Sequence, residues 1–165
     1  MTKTAWIPTA LTLGNLICGG LSIYCSVIGL PAVAVGLIIV AMIPDGFDGK
    51  AARHFDVVNK LGAELDSLCD AVSFGVAPFV LSITQFPSDL VVMVAGILFV
   101  CGGVYRLARY NILPKSPGFV GVPITANGFI FPVLVFIDAS ALFYAVVLIV
   151  MAGLMVSTLK VPRIL

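Results

Sequence analysis

The sequence is poor in charged residues. Only 10% of its 165 residues are Asp, Glu, Lys or Arg, whereas 61% are hydrophobic, and the mean hydropathy is +1.18. A soluble domain of this size does not have such a composition, so the sequence indicates a polytopic membrane protein. The net charge is only +1, which provides no basic surface for nucleic acid.

Cysteine and histidine are also scarce. The four cysteines lie in apolar sequence and form no CxxC pair, and the only histidine is His54, in a cationic loop. Zinc and redox sites are therefore not indicated, and we interpret the cysteines as small packing residues. The first apolar stretch continues directly into further apolar sequence, which argues against a cleaved secretory signal peptide.

Apolar runs separated by short breaks predict an all-α membrane protein with six transmembrane helices. The predicted spans are residues 11–30, 31–48, 62–84, 90–108, 120–138 and 141–158. No linker or internal repeat divides the chain, so we expect a single transmembrane domain over residues 1–165. Residues 1–10 are expected to form a short helix on the membrane surface.

Lys and Arg are distributed unequally between the two ends of these spans. All nine lie near the chain ends or around the ends of spans two and four, and the turns after spans one, three and five contain none. Positive residues mark the cytoplasmic side of a membrane. Both termini are therefore predicted to be cytoplasmic.

Four Asp residues stand out, because charge near a bilayer is costly and normally marks function. Asp45 and Asp48 are three residues apart at the end of span two, and Asp66 and Asp70 are four apart at the start of span three. Each pair shares a helix face, so two antiparallel helices would bring the four carboxylates together. An all-oxygen site of this kind suits Mg2+, Mn2+ or Ca2+, which could bind phosphates and stabilise phosphoryl transfer.

The Asp cluster has two other interpretations. In the structural one, the carboxylates form a solvated helix end with salt bridges to Lys50, Arg53 and Lys60. In the other, a cation- or proton-coupled transporter uses them as an ion site, but the matched discontinuous helices typical of such proteins are not seen. Arg53 could contact the same phosphates as the metals or pair with an Asp.

The pattern D-x2-D-G-x2-A-R-x8-G-x3-D-x3-D resembles the signature of the CDP-alcohol phosphotransferase family at every defining position. The resemblance implies six transmembrane helices, a homodimer, and cleavage of the pyrophosphate of a CDP-linked alcohol with release of CMP. It implies two divalent metal ions held by the Asp residues, with Asp70 as general base. It also implies a CDP-lipid pocket formed by Asp48, Gly49, Ala52, Arg53 and Gly62.

Two polar residues outside this pattern are further candidates for the CDP-lipid pocket. Asn15 is an amide within span one, and a helix–helix hydrogen bond is the alternative interpretation for it. Ser73 lies three residues after Asp70, so it is predicted to point toward the same site.

Residues 7–19, 66–78, 105–111 and 118–123 resemble the phosphatidylserine synthase branch of the family, except that Thr9 stands where the branch usually has Asn. This resemblance implies CDP-diacylglycerol or CDP-archaeol as donor and L-serine as acceptor. The distribution of Lys and Arg puts the Asp cluster at the cytoplasmic end of spans two and three, so we expect an enzyme of the cell membrane with its active site facing the cytoplasm.

Basic residues after span four are candidates for binding the acceptor. Arg106 and Arg109 lie one turn apart, and a guanidinium fork matches a carboxylate. We hypothesise that one holds the serine carboxylate and the other a phosphate, with help from Lys115; anchoring to lipid headgroups is the alternative. Glycerol phosphate or inositol phosphate is the alternative acceptor, although an acceptor with its own phosphate would favour a richer basic cluster.

Overall fold

The structure is a computed structural model that describes residues 6–112, 119–158 and 160–161. The described residues are mostly helical, as predicted. The α-helices are α1 (Trp6–Val27), α2 (Pro31–His54), α3 (Lys60–Asp70), α4 (Ala77–Gln85), α5 (Leu90–Ile112), α6 (Asn127–Phe136) and α7 (Ala141–Val156). A π-helical segment, Ala71–Val76, joins α3 to α4, and a 3-10 turn, Ile124–Ala126, precedes α6. Two short strands, β1 (Phe119–Val120) and β2 (Lys160–Val161), pair antiparallel.

Four helical stretches are long and apolar enough to cross a membrane. They are Trp6–Val27, Pro31–His54, Lys60–Gln85 and Leu90–Ile112, of which the third comprises α3, the π-helical segment and α4. The last two helices, α6 and α7, have only 10 and 16 residues. A hydrocarbon core of about 30 Å calls for about 20 residues, so length and composition identify only the first four stretches as candidate spans.

Helix α6, which corresponds to the fifth predicted span, begins later than the sequence predicted. Gly121 has a φ of 79°, in the left-handed region, and Pro123 has an extended conformation. A Cβ atom on Gly121 would also collide with carbonyl oxygens at the end of α7. The chain therefore turns at these residues, and α6 can start only after them.

The separate surface helix predicted for residues 1–10 does not occur in its described half. Helix α1 begins at Trp6 and continues without a break to Val27. Pro8 does not interrupt it, because the first turn of a helix tolerates a residue without an N–H group. Residues 1–5 lie outside the described residues.

Helix α1 turns its polar side toward the rest of the protein. The residues buried along it are mostly small or polar: Pro8, Thr12, Asn15, Gly19, Ser22 and Ser26. Ile17 and Tyr24, by contrast, are each 61% exposed. This distribution fits a helix surrounded by lipid, in which hydrogen bonds and close packing hold helices together. The Ser22 hydroxyl, for example, donates to the Ala34 carbonyl of α2 at 2.8 Å.

A close contact at Gly19 positions α1, and the apolar core lies between the other helices. Gly19 packs so closely against Ser73 that a Cβ atom would overlap the backbone and side chain of the serine. This brings α1 against the π-helical segment that follows Asp70. The core itself is formed by buried apolar residues such as Phe99 and Phe131, whose ring centroids are 5.4 Å apart.

Candidate functional site

The Asp residues lie on two helices joined by a tight reversal. Asp45 and Asp48 are near the end of α2, and α3 begins only a few residues later. Asn59 caps α3, since its Oδ1 accepts a hydrogen bond from the Gly62 N–H at 2.8 Å. After the short connection α3 packs on α1, and its carboxylates meet Asp45 of α2.

The structure brings three of the four carboxylates together, and the fourth adjoins them. Oxygen atoms of Asp45, Asp66 and Asp70 all lie within 4.8 Å of one another. Asp48 is not one of these three; its carboxyl group interacts with that of Asp66. Asp48 and Asp70 are buried, whereas Asp45 and Asp66 are half-buried.

The donor set of this cluster fits a hard divalent cation. Oδ1 of Asp66 is buried without a hydrogen-bond partner among the described residues. Buried charges that are not paired are expensive, so the cluster requires a counter-charge. Carboxylate oxygens converging at this distance are the ligands that Mg2+, Mn2+ and Ca2+ prefer.

Helix α1 contributes hydrogen bonds to both pairs of carboxylates. The Thr12 hydroxyl donates to Oδ2 of Asp48 at 2.8 Å, and the Asn15 amide donates to Oδ1 of Asp70 at 3.0 Å. The Ser73 hydroxyl donates to the Asn15 carbonyl at 3.0 Å. Thr12 was not singled out from the sequence, although its spacing of three residues from Asn15 places both on one helix face.

A cavity of about 270 Å3 opens beside Asp48 and Asp66, between the start of α1, the end of α2 and the start of α3. Its wall includes every residue of the predicted pocket motif: Asp48, Gly49, Ala52, Arg53 and Gly62. Pro8, Thr9, Val57 and Val58 are among the other wall residues and were not predicted. Asn15 and Ser73 are not part of this wall: Asn15 bonds to Asp70, and Ser73 bonds to the carbonyl of Asn15.

The two arginines of α5 have different surroundings. Arg106 is 5% exposed, its Nε has no hydrogen-bond partner among the described residues, and its guanidinium interacts electrostatically with Asp70. Arg109 instead donates to the carbonyls of Met155, Val156 and Ser157 at 3.3, 2.9 and 3.0 Å, at the end of α7. Arg109 thus caps a helix, a structural contact that the sequence did not predict. Lys115 lies outside the described residues.

Two further asparagines connect helices around the cluster. Asn111 at the end of α5 exchanges hydrogen bonds with Ser67 of α3, at 3.0 and 3.3 Å. Asn127 at the start of α6 donates to the Phe74 carbonyl in the π-helical segment at 3.1 Å. Helices α5 and α6, as well as α1, therefore form hydrogen bonds to the segments that carry the site. π-helical segments are frequent at functional sites, and this one directly follows Asp70.

Known proteins resemble this chain over most of its length. A sequence profile of the CDP-alcohol phosphatidyltransferase family matches residues 5–161. The CDP-diacylglycerol–serine O-phosphatidyltransferase of Bacillus subtilis (strain 168) is 36% identical over 161 residues, which cover 96% of this chain and 90% of that protein. The protein of the same name from Methanocaldococcus jannaschii is 37% identical over 161 residues, covering 98% of this chain and 76% of that protein.

A third similar protein matches a shorter region. The CDP-diacylglycerol–serine O-phosphatidyltransferase of Mycobacterium tuberculosis (strain H37Rv) is 38% identical over 133 residues, which cover 73% of this chain and 46% of that protein. The family match contains the whole Asp cluster and the cavity beside it. With these similarities and this geometry, the chain belongs to the CDP-alcohol phosphatidyltransferase family.

Proposed function

We propose that the protein transfers a phosphatidyl group from a CDP-linked lipid to the hydroxyl of L-serine, with release of CMP. The observation that carries this proposal is the similarity, over nearly the whole chain, to two proteins named for that reaction. The clustered carboxylates and the adjoining cavity support it, because phosphoryl transfer needs metal ligands next to a nucleotide site. The lipid is CDP-diacylglycerol or CDP-archaeol, whose different tails would both lie in the bilayer.

The cavity suits the CDP part of the donor. Gly49 and Gly62 have no side chains, so the backbones of α2 and α3 can approach a nucleotide closely. The guanidinium of Arg53 lies over Gly49, where it can pair with a phosphate. Val57 and Val58 provide apolar surface on the same wall.

Two divalent cations, Mg2+ or Mn2+ with Ca2+ as a third option, would be held by Asp45, Asp48, Asp66 and Asp70. When bound, they would neutralise charge that develops on the phosphoryl oxygens. The buried Oδ1 of Asp66, which has no hydrogen-bond partner among the described residues, supports the assignment. The fixed hydrogen bonds from Thr12 and Asn15 pre-orient the carboxylates.

Asp70 acts as the general base in this proposal. It takes the proton of the serine hydroxyl, and the serine oxygen forms a bond to the lipid-side phosphorus. The bond from that phosphorus to the bridging oxygen breaks, and CMP leaves with the electron pair. We assign the serine carboxylate to Arg106, because this residue is buried, interacts with Asp70, and has no hydrogen-bond partner for its Nε among the described residues. Lys115 is proposed to assist in binding the serine.

The proposal also includes the arrangement in the membrane. We place six spans in the cell membrane, both termini and the active site on the cytoplasmic side, and two copies in a homodimer. The uneven distribution of the nine cations supports this orientation. In intact cells, an impermeant thiol reagent should label a cysteine at exposed Ser88 and not one at exposed His54, in a cysteine-free background. The reverse pattern would invert the topology.

The decisive experiment supplies purified protein with CDP-diacylglycerol and labelled L-serine, and it follows both lipid product and CMP. Mg2+ or Mn2+ should support equal amounts of the two products, and EDTA should stop both. CMP release with glycerol phosphate or inositol phosphate but not with serine would keep the family chemistry and change the acceptor. Absence of CMP release with every metal and acceptor would contradict the proposal and favour an ion transporter.

A further inference from the structure

We propose that Thr12 is a positioning residue for Asp48, an inference that rests on the proposed function. Thr12 is 4% exposed and Asp48 is 6% exposed. The hydroxyl of Thr12 lies 2.8 Å from Oδ2 of Asp48. The bond fixes the orientation of a carboxylate that shares a cavity wall with Asp66.

The hydroxyl has one proton and two acceptors within reach. The Pro8 carbonyl lies 3.0 Å away within α1, and the Asp48 carboxylate lies 2.8 Å away on α2. An ionised acceptor makes the stronger hydrogen bond, so the proton is directed to Asp48. Because Thr is branched at Cβ, its side chain has few rotamers, and little freedom is lost in holding this geometry.

Asp48 needs such a contact because it belongs to two parts of the site. It lines the cavity, and it does so beside Asp66, which is one of the three converging carboxylates. A carboxylate free to rotate would offer its oxygens to the cluster only part of the time. Partners that fix ligating side chains commonly change metal affinity by about 10- to 100-fold.

Helix α1 therefore forms a hydrogen bond to one carboxylate on each of the two acidic helices, α2 and α3. Thr12 bonds to a carboxylate of α2, and Asn15 bonds to a carboxylate of α3. The two donors are three residues apart on one rigid helix, so their spacing fixes the spacing of their acceptors. Thr12 is the member of this pair that also lines the cavity.

The test uses three variants of the full-length protein, purified in detergent without lipid substrate. Thr12→Val keeps the branched shape and removes the hydroxyl, and Thr12→Ser keeps the hydroxyl. Thr84→Val makes the same chemical change at a hydroxyl that donates to the Leu81 carbonyl within its own helix, at 3.0 Å. Free Mn2+ is measured by electron paramagnetic resonance during titration, and CMP release is then measured as a function of Mn2+.

Thr12→Val should raise the Mn2+ dissociation constant by about 10-fold or more, whereas Thr12→Ser and Thr84→Val should remain close to wild type. Saturating Mn2+ should restore much of the rate of Thr12→Val, which a general packing defect would not permit. Wild-type affinity in Thr12→Val would overturn the inference, as would an equal loss in Thr12→Ser. A wild-type protein that neither binds Mn2+ nor releases CMP would overturn the proposed function and this inference together.

Discussion

Arg106→Lys should selectively weaken the use of serine. Lysine keeps the positive charge that faces Asp70 but replaces a two-point fork with a single ammonium group. Because Arg106 is 5% exposed, water cannot replace the lost contact. One hydrogen bond to a charged group contributes about 1.5–3 kcal/mol, so the serine KM should rise by about 10- to 100-fold. The KM for the CDP-lipid should not change.

The assay is CMP release at varied serine with saturating CDP-diacylglycerol and Mn2+. Arg109→Lys is the matched control, since it makes the same change one turn along α5 at a guanidinium that caps α7. It should lower the melting temperature and leave the serine KM as in wild type. An unchanged serine KM in Arg106→Lys, or an equal rise in both variants, would refute the assignment of Arg106 to the serine carboxylate.

Three other substitutions test the site and its supports. Asp70→Asn should abolish serine transfer while CDP-lipid binding, measured by equilibrium titration, persists; retained turnover would exclude Asp70 as the base. Gly19→Ala should destabilise the protein by about 1–3 kcal/mol and slow turnover, because the new methyl group overlaps the Ser73 backbone; wild-type melting and rate would contradict this packing. Asn59→Ala removes the cap that accepts from Gly62 and should cost about 1 kcal/mol in a thermal melt; an unchanged melt would show that the cap contributes little.

The Asp cluster could be predicted from sequence because helical spacing fixes which side chains share a face. Asp45 with Asp48 and Asp66 with Asp70 are on common faces of their helices, and a short connection allows only an antiparallel return. The helix order was likewise readable from apolar runs and breaks. The late start of α6 was not, since it depends on the left-handed backbone at Gly121 against the end of α7.

Contacts between distant helices could not be read from the sequence. Arg106 and Arg109 lie one turn apart in similar sequence, and only tertiary packing directs one toward Asp70 and the other toward α7. The bond between Thr12 and Asp48 spans 36 residues and depends on which face of α1 meets α2. The π-helical segment has no local signal of its own, because Ala71–Val76 is also compatible with an ordinary α-helix.

The polar face of α1 affects how the chain is inserted during biosynthesis. If α1 entered the bilayer alone, the side chains of Thr12, Asn15 and Ser22 would face lipid tails until their partners on later helices arrived. The first of those partners is α2, which follows after a turn of three residues and accepts the Ser22 hydroxyl. Insertion of α1 and α2 together as one helical hairpin would therefore spare these polar groups from exposure to lipid. A long insertion in the turn between the two helices would delay their pairing.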